Sequence, residues 1–405
     1  MEVKRKRVAN VPNLRFPGFE GEWELRALNE ISAKITDGTH DTPRAISNGI
    51  PYLTAIHIKD GKIDYENCYF ISPEVHKQIY SRCNPRLGDL LIVNIGAGTA
   101  TCALNTVSYE FSLKNVALVK PRKDIIDSCF LEQYQRNQSK KIFKQLTSGG
   151  AQPFLSLREI GKLKIRYPSL TEQQKIGSIL SLLDKRMSTQ SKIIEELNVL
   201  KTTIAKRIFS QGLRFKNEDG YSFPDWEDKT LGDIGEVKMC KRIFNEETSP
   251  IGEVPFFKIG SFGKEPNAFI SKERYLDYRK RFSYPKKGDI LISAAGTIGR
   301  TVIYKGEDAY YQDSNIVWVD NDNTRVTNGF LFYVLQIVKY NTEGGTIQRL
   351  YNNILKSTKF RCPTLPEQTK IARFLSFIDS KMAIENQLLQ KLEEQKSFLL
   401  QNLFR

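Results

Sequence analysis

No apolar run in the 405-residue chain approaches the roughly 18–20 residues needed to span a bilayer. The opening Met1-Glu2-Val3-Lys4-Arg5-Lys6-Arg7 carries charge where a secretion signal would have an apolar core. A cytoplasmic protein is expected. Histidine is scarce, and the three, at 40, 57 and 76, have no metal-ligand spacing among themselves or with cysteine. The six cysteines (68, 83, 102, 129, 240 and 362) are scattered without a Cys-x-x-Cys pair and read as reduced core residues, so no metal site is expected. Catalytic signatures are missing too. Gly96-Ala97-Gly98 lacks the third glycine and the later acidic residue of a dinucleotide fold. There is no Gly-x-x-x-x-Gly-Lys-Ser/Thr, and no Asn/Asp-Pro-Pro-aromatic tetrapeptide of amino-methyltransferases. Pro224-Asp225 and Glu227-x-Lys229 have the residues of a nuclease site, but they abut where that chemistry needs a longer gap. These absences describe a binder, with no catalytic residue.

What the chain has is basic charge. Lys and Arg number 61 against 46 Asp and Glu, a net +15 with a pI near 9.3. Such an excess draws a protein toward polyanions, of which nucleic acid is the usual one. A hydrophobic fraction of 40% is enough for packed cores, and the length suggests two or three domains.

The chain also repeats. Residues 168–209 match 363–404 at an offset of 195: Pro168-Ser169-Leu170-Thr171-Glu172-Gln173 against Pro363-Thr364-Leu365-Pro366-Glu367-Gln368. Ser169 with Glu172, and Thr364 with Glu367, read as capping boxes. A stripe at three- and four-residue steps follows: Ile176, Leu180, Leu183, Met187, then Ile194, Leu197, Ile204 and Ile208. Its second copy is Ile371, Leu375, Ile378, Met382, then Leu389, Leu392, Leu399 and Leu403. This is coiled-coil spacing, and each helix would be roughly 55–60 Å long. Gln190 and Glu385, and Lys201 and Lys396, interrupt the stripe at equivalent points. They either fix register or mark places where the seam frays or snorkels. Two such helices are expected to pair with each other, antiparallel, with pseudo-twofold symmetry.

Before each helix lies a fainter repeat. Leu14-Arg15-Phe16-Pro17 with Trp23 answers Leu213-Arg214-Phe215 with Trp226, and Gly88-Asp89-Leu90-Leu91-Ile92 answers Gly288-Asp289-Ile290-Leu291-Ile292. Short strands, glycine turns, and helical stretches at 128–146 and 328–341 predict mixed α/β modules. The expected layout is a first module at 1–166, a helix at 167–211, a second module at 212–361 and a helix at 362–405. Trp23 and Trp226 read as core anchors, and Asp89 and Asp289 as turn residues.

Polar loops too rich in turn formers to be core supply the binding candidates. In the first module they are His40, Thr42, Arg44, Lys114, Asn115 and Gln152 beside Gly149-Gly150. In the second they are Lys241, Arg242, Lys258, Lys264, Thr297, Arg300, Gln312, Asn315 and Arg349. Lys, Arg, Asn and Gln reach phosphates or base edges where glycine lets the backbone approach. For each one, a solvated loop residue is the competing reading.

In this order, twice over, these segments resemble the specificity subunit of type I restriction-modification systems, across essentially the whole chain. The strongest carriers are Pro168 through Asp184 and Pro363 through Asp379. The resemblance implies two target-recognition domains, each reading half of a bipartite, asymmetric site on double-stranded DNA. It implies helices that act as a spacer and dock two methyltransferase subunits, with restriction/translocase subunits joining that core. S-adenosylmethionine, ATP and magnesium would then belong to partner chains. A helix pair of that length exceeds one DNA turn of about 34 Å, so two heads could contact grooves a turn apart. The rival readings are a stand-alone methyltransferase or nuclease with degenerate motifs, and a coiled-coil adaptor that binds proteins only.

Overall fold

The computed structural model describes residues 11–147, 153–340 and 349–404. By compactness the chain divides into two units, Met1–Lys192 with Asn386–Arg405, and Ile193–Glu385. Each is a mixed α/β body.

Both units are built on a four-stranded antiparallel sheet of the same topology. In the first unit the strand order is Ser32–Asp37, Val116–Pro121, Leu90–Val93, Cys102–Leu104. In the second it is Gly235–Met239, Ile316–Asn321, Ile290–Ser293, Thr301–Ile303. Alternate side chains of a strand leave on opposite faces. Leu90, Ile92, Ala117 and Val119 enter one core, while Leu91, Val93, Val116 and Leu118 enter another. Ile290, Ile292, Val317 and Val319 are divided from Leu291, Ile316 and Trp318 in the same way. Covering both faces is why Leu90–Val93 and Ile290–Ser293 read as continuous buried runs. Asp89 and Asp289 are turn residues, as read: their carboxylates accept from the backbone N–H of Arg86 at 2.8 Å and of Lys286 at 2.7 Å.

A three-stranded sheet backs each second core. Tyr69–Ile71, Ile50–Thr54 and Ser112–Lys114 form it in the first unit, and Phe269–Ile270, Val254–Phe257 and Tyr310–Tyr311 in the second. The two second cores differ in substance. The first is largely aliphatic; the second stacks Phe256, Phe262, Tyr275, Tyr304, Tyr310, Tyr311 and Trp318. The predicted helical stretches are Ser128–Thr147 and Asn328–Ile337. The second ends earlier than expected because Tyr340 folds back and its hydroxyl donates to the Leu335 carbonyl, one of the groups left open at a helix end.

The long helices are Leu170–Phe209 and Leu365–Leu403, of 40 and 39 residues. Their entries repeat down to single bonds. Gln173 takes the Asp127 N–H at 2.8 Å and donates to the carbonyls of Ile125 and Pro168. Gln368 takes the Thr327 N–H at 2.8 Å and donates to those of Arg325 and Pro363. Glu172 and Glu367, both buried, do not close the expected capping boxes. Arg15 grips Glu172 at 2.7 Å, and Arg214 grips Glu367 at 3.0 Å, where the Trp226 indole N–H also donates. A guanidinium fork outcompetes a single backbone amide for a buried carboxylate. The Thr364 hydroxyl is correspondingly left without a partner. Trp23 and Trp226 are both buried core anchors.

Replacing Gln173 with Leu strands one buried N–H and two carbonyls, which cost roughly 1–3 kcal/mol each when unsatisfied. Urea unfolding of Gln173→Leu is expected to show a loss of about 3 kcal/mol.

Candidate functional site

In the first unit the polar loop is brought to the strand end by Gly38. A Cβ there would lie 1.8 Å from the Leu113 carbonyl oxygen, so only glycine lets the loop backbone lie flat on that strand. Thr39 then bridges to Lys114, the Lys114 ammonium donates to the Thr42 hydroxyl, and the His40 ring contacts Asn115 at 3.2 Å and Asp37 at 3.0 Å. Asn115 adopts φ 55°, a left-handed turn that asparagine tolerates. His40, Thr42, Lys114 and Asn115 thus form one cluster, with Arg44 exposed on the same loop. Asp37, which the sequence reading passed over, organises it by holding both His40 and Arg82, the latter at 2.6 Å. Gln152, with Gly149-Gly150, falls outside the described residues.

In the second unit most candidates are engaged in contacts of their own. Arg242 pairs with Asp313 at 2.8 Å, and Lys241 lies over the Phe282 ring. Gln312 accepts the Ile259 N–H at 2.9 Å, and Lys258 donates to Asn245 at 3.2 Å. Arg300 donates to the Phe262 carbonyl at 2.9 Å. Ala294 donates its N–H to the Asn315 carbonyl, and Ala295 bridges to Arg349. Lys264 and Thr297 are exposed. Here Ser314, φ 52°, takes the left-handed turn that Asn115 makes in the first unit. Gln312 and Arg300 therefore hold the loops in shape, whereas Lys264 and Thr297 extend from exposed positions. The nuclease-like residues Asp225, Glu227 and Lys229 border one small pocket, but both carboxylates are engaged: Asp225, fully exposed, meets Arg214 at 3.5 Å, and Glu227 pairs with Lys229 at 2.7 Å.

The stripe of the long helices divides into parts with different roles. Ile176 and Leu180 are buried in the first unit's main core with Leu403 and Phe404. Ile371 and Leu375 are buried in the second unit's with Ile208 and partly buried Ile204. These residues expected on a helix–helix seam are therefore domain core as well. Leu183, Ile378 and Leu392 are also buried, and so are the polar Gln190 and Glu385. Met187, Ile194, Leu197, Met382 and Leu389 are only half-buried, because a two-helix seam shields one side alone.

The interrupting lysines resolve the antiparallel course. In the first unit the Lys396 ammonium binds Asp184 at 2.5 Å; in the second Lys201 binds Asp379 at 2.6 Å. Asp184 and Asp379 are repeat equivalents, as are Lys201 and Lys396, so each lysine meets the aspartate of the other copy. They neither fray nor snorkel. Each pair is also the anchor for a helix of the head. Gln133 donates to Asp184 at 2.8 Å and Arg136 at 2.7 Å, whereas the Tyr333 hydroxyl donates to Asp379 at 2.8 Å. Burial would raise the Asp184 carboxyl, but the Lys396 hydrogen bond and the Arg136 charge hold it below the usual carboxylate range. Burial lowers the Lys396 ammonium. The neighbouring Glu132 is pushed up to about 7 by burial, which Arg136 only partly offsets.

Against known proteins, the family model for the type I restriction modification DNA specificity domain matches residues 20–199 and again 224–394. The chain belongs to the type I restriction-modification specificity subunits. A putative type I restriction enzyme specificity subunit of Haemophilus influenzae is 34% identical over 367 residues, 88% of this chain and 87% of that one. A putative MjaX specificity subunit of Methanocaldococcus jannaschii is 27% identical over 400 residues, 94% and 92% of the two chains. Among solved structures, the S subunit from M. genitalium superposes with a TM-score of 0.66 at 16% identity, covering 98% of this chain and 99% of that one. The specificity subunit is the non-catalytic, DNA-recognising member of such a system, with two target-recognition domains. No helix among the described residues is long and apolar enough to cross a membrane.

Sequence reading of this specificity subunit missed Arg15, Arg136, Asp184 and Asp379. The signal was present for the aspartates: an Asp and a Lys recur 17 residues apart in both copies, at 184 and 201 and at 379 and 396, and an antiparallel pairing makes them meet.

Asp184→Ala leaves a buried ammonium, with the Lys396 side chain only 8% exposed, and is expected to cost about 3 kcal/mol in urea unfolding. Asp379→Ala, facing the more exposed Lys201, should cost about 1 kcal/mol. Glu132 adds a pH signature. Its folded value lies above the ordinary 4.5, so its contribution is complete below about 4.5 and is lost as pH rises through about 7. Glu132→Gln should therefore be more stable than the parent at pH 8, by on the order of 2 kcal/mol, with the gap closing at pH 4.

Proposed function

We propose that each unit reads one half of a bipartite, asymmetric site on double-stranded DNA, and that the long helices space the two readers and dock two methyltransferase subunits. Restriction/translocase subunits join that core. S-adenosylmethionine, ATP and magnesium act on those partner chains, none being held by this one. The observation that carries the reading is one repeated sheet scaffold whose loops carry unlike polar groups in the two units. His40, Thr42, Lys114 and Asn115 gather around Asp37 in the first unit. Lys241, Arg242, Lys258 and Lys264 supply the polar groups of the second. Matching sheets with different polar groups suit two different half-sites, and the net charge of +15 supplies the phosphate attraction. A solved structure concerned with complex assembly of the type I R-M system, which superposes at a TM-score of 0.52, supports an assembling role.

The test is binding of the assembled methyltransferase to its own site and to sites altered in one half. His40→Ala with Thr42→Ala should relax discrimination in one half only, by about 1–3 kcal/mol for each lost base contact. Lys241→Ala with Lys264→Ala should leave that half intact while weakening the other or flattening the salt dependence. If one pair of variants degraded both halves equally, the one-reader-per-half-site reading would fail.

A further inference from the structure

The equivalent outer strands of the two four-stranded sheets are treated differently. In the first unit the Ile58–Lys59 and Lys62–Ile63 hairpin lies along Cys102–Leu104. Gly61 donates its N–H to the outward Cys102 carbonyl at 2.9 Å. Asp60 pairs with Arg136 at 2.9 Å, Lys62 donates to Ser188 on the long helix at 3.2 Å, and Tyr65 donates to Asn105 at 2.8 Å. An extended segment, with Asp60 at its tip between Lys59 and Lys62, thus covers the edge strand and reaches the head helix and the long helix.

In the second unit the link between the corresponding strands, residues 258–268, is shorter than its counterpart, residues 55–68, and forms no such hairpin among the described residues. The edge strand Thr301–Ile303 pairs with Ile290–Ser293 on its inner side. On its outer side, none of the backbone bonds among the described residues goes to Thr301 or Ile303. Beside this edge lies an open cleft, walled by Thr301, Ile303, Phe332, Gln336, Ser380 and Ala383. Ala383 is the repeat equivalent of Ser188, and Gln336 stands where the first unit has Arg136. Lys201, Arg300, Lys305 and Arg373 also border it, against one carboxylate, Asp379, already engaged by Lys201 and Tyr333.

We propose that this cleft receives an extended, acidic segment of a partner protein subunit, which pairs with the open edge of Thr301–Ile303 as an added strand. Unpaired alternate amides and carbonyls on an edge are a template for a strand. The partly apolar wall of Phe332, Ile303 and Ala383 suits side chains better than a phosphate backbone, and the surplus of cations selects acidic residues. The first unit's own hairpin shows what kind of chain lies along such an edge. Because that hairpin already caps the outward edge of Cys102–Leu104, an edge open to an added strand exists on one recognition domain alone. The proposal rests on the reading that partner subunits assemble on this chain, and adds where one of them is gripped asymmetrically.

Hydrogen exchange tests it, comparing the free chain with the complex assembled from this chain and its methyltransferase and restriction subunits, without DNA. The Thr301 and Ile303 amides should exchange at least about tenfold more slowly in the complex. Lys305→Glu with Arg373→Glu, both at exposed positions, should abolish that protection while the fold is retained. A photo-cross-linking residue at Ile303 should join an acidic segment of one partner subunit. Unchanged exchange in a complex that does assemble overturns the cleft proposal and leaves the assembly reading standing. Failure of the complex to assemble at all overturns both. Protection that appears in the free chain as its concentration rises, or a cross-link found on added DNA instead, overturns it in favour of a second copy or of nucleic acid.

Discussion

Two small ion pairs, Asp184–Lys396 and Asp379–Lys201, govern the rest of the molecule. A stripe of apolar residues at heptad spacing leaves several registers nearly equal in energy, because one Leu or Ile packs much like the next. A lysine on the stripe removes that degeneracy. It is tolerable only where the opposing helix presents a carboxylate, and repetition of the sequence guarantees that both pairs form in the same register. Each aspartate has a second duty, accepting a hydrogen bond from a helix of its own head. Register of the long helices and seating of the recognition domain are therefore set by the same atoms.

The heads attach by one set of bonds, repeated in two different surroundings. Glu172 with Gln173, and Glu367 with Gln368, are buried at each helix start and make near-identical bonds to different partners. What changes lies further away. The first joint carries Glu132, whose carboxyl burial pushes up to about 7, beside Arg136; the second has Phe332 and Gln336 at the corresponding places. One domain is consequently seated through a charged cluster and the other through a tyrosine and apolar contacts.

Much of this was legible in the residues, for a definable reason. Long helices, glycine-linked apolar strands and the two tryptophan anchors leave local signatures, and duplication doubled each of them. Bonds that depend on chain reversal left none that a local reading finds. Arg15 reaches Glu172 across most of the first unit, and a capping box was the nearest local partner for that carboxylate. The gathering of His40, Thr42, Lys114 and Asn115 depends likewise on a strand pairing between distant segments. Among the second unit's loop residues, sequence could not separate Gln312, which ties Ile259, from Lys264, which is free to reach outward.

The burial of Ile176, Leu180, Leu403 and Phe404 in the first head's main core has an evolutionary corollary. A recognition domain is not a bead on a string: part of its interior belongs to the helices. When genes recombine at the helix boundary, an incoming head must bring an inner surface that accepts those four side chains. The repeated helices thereby act as a filter on which new DNA specificities can be inherited in folded form.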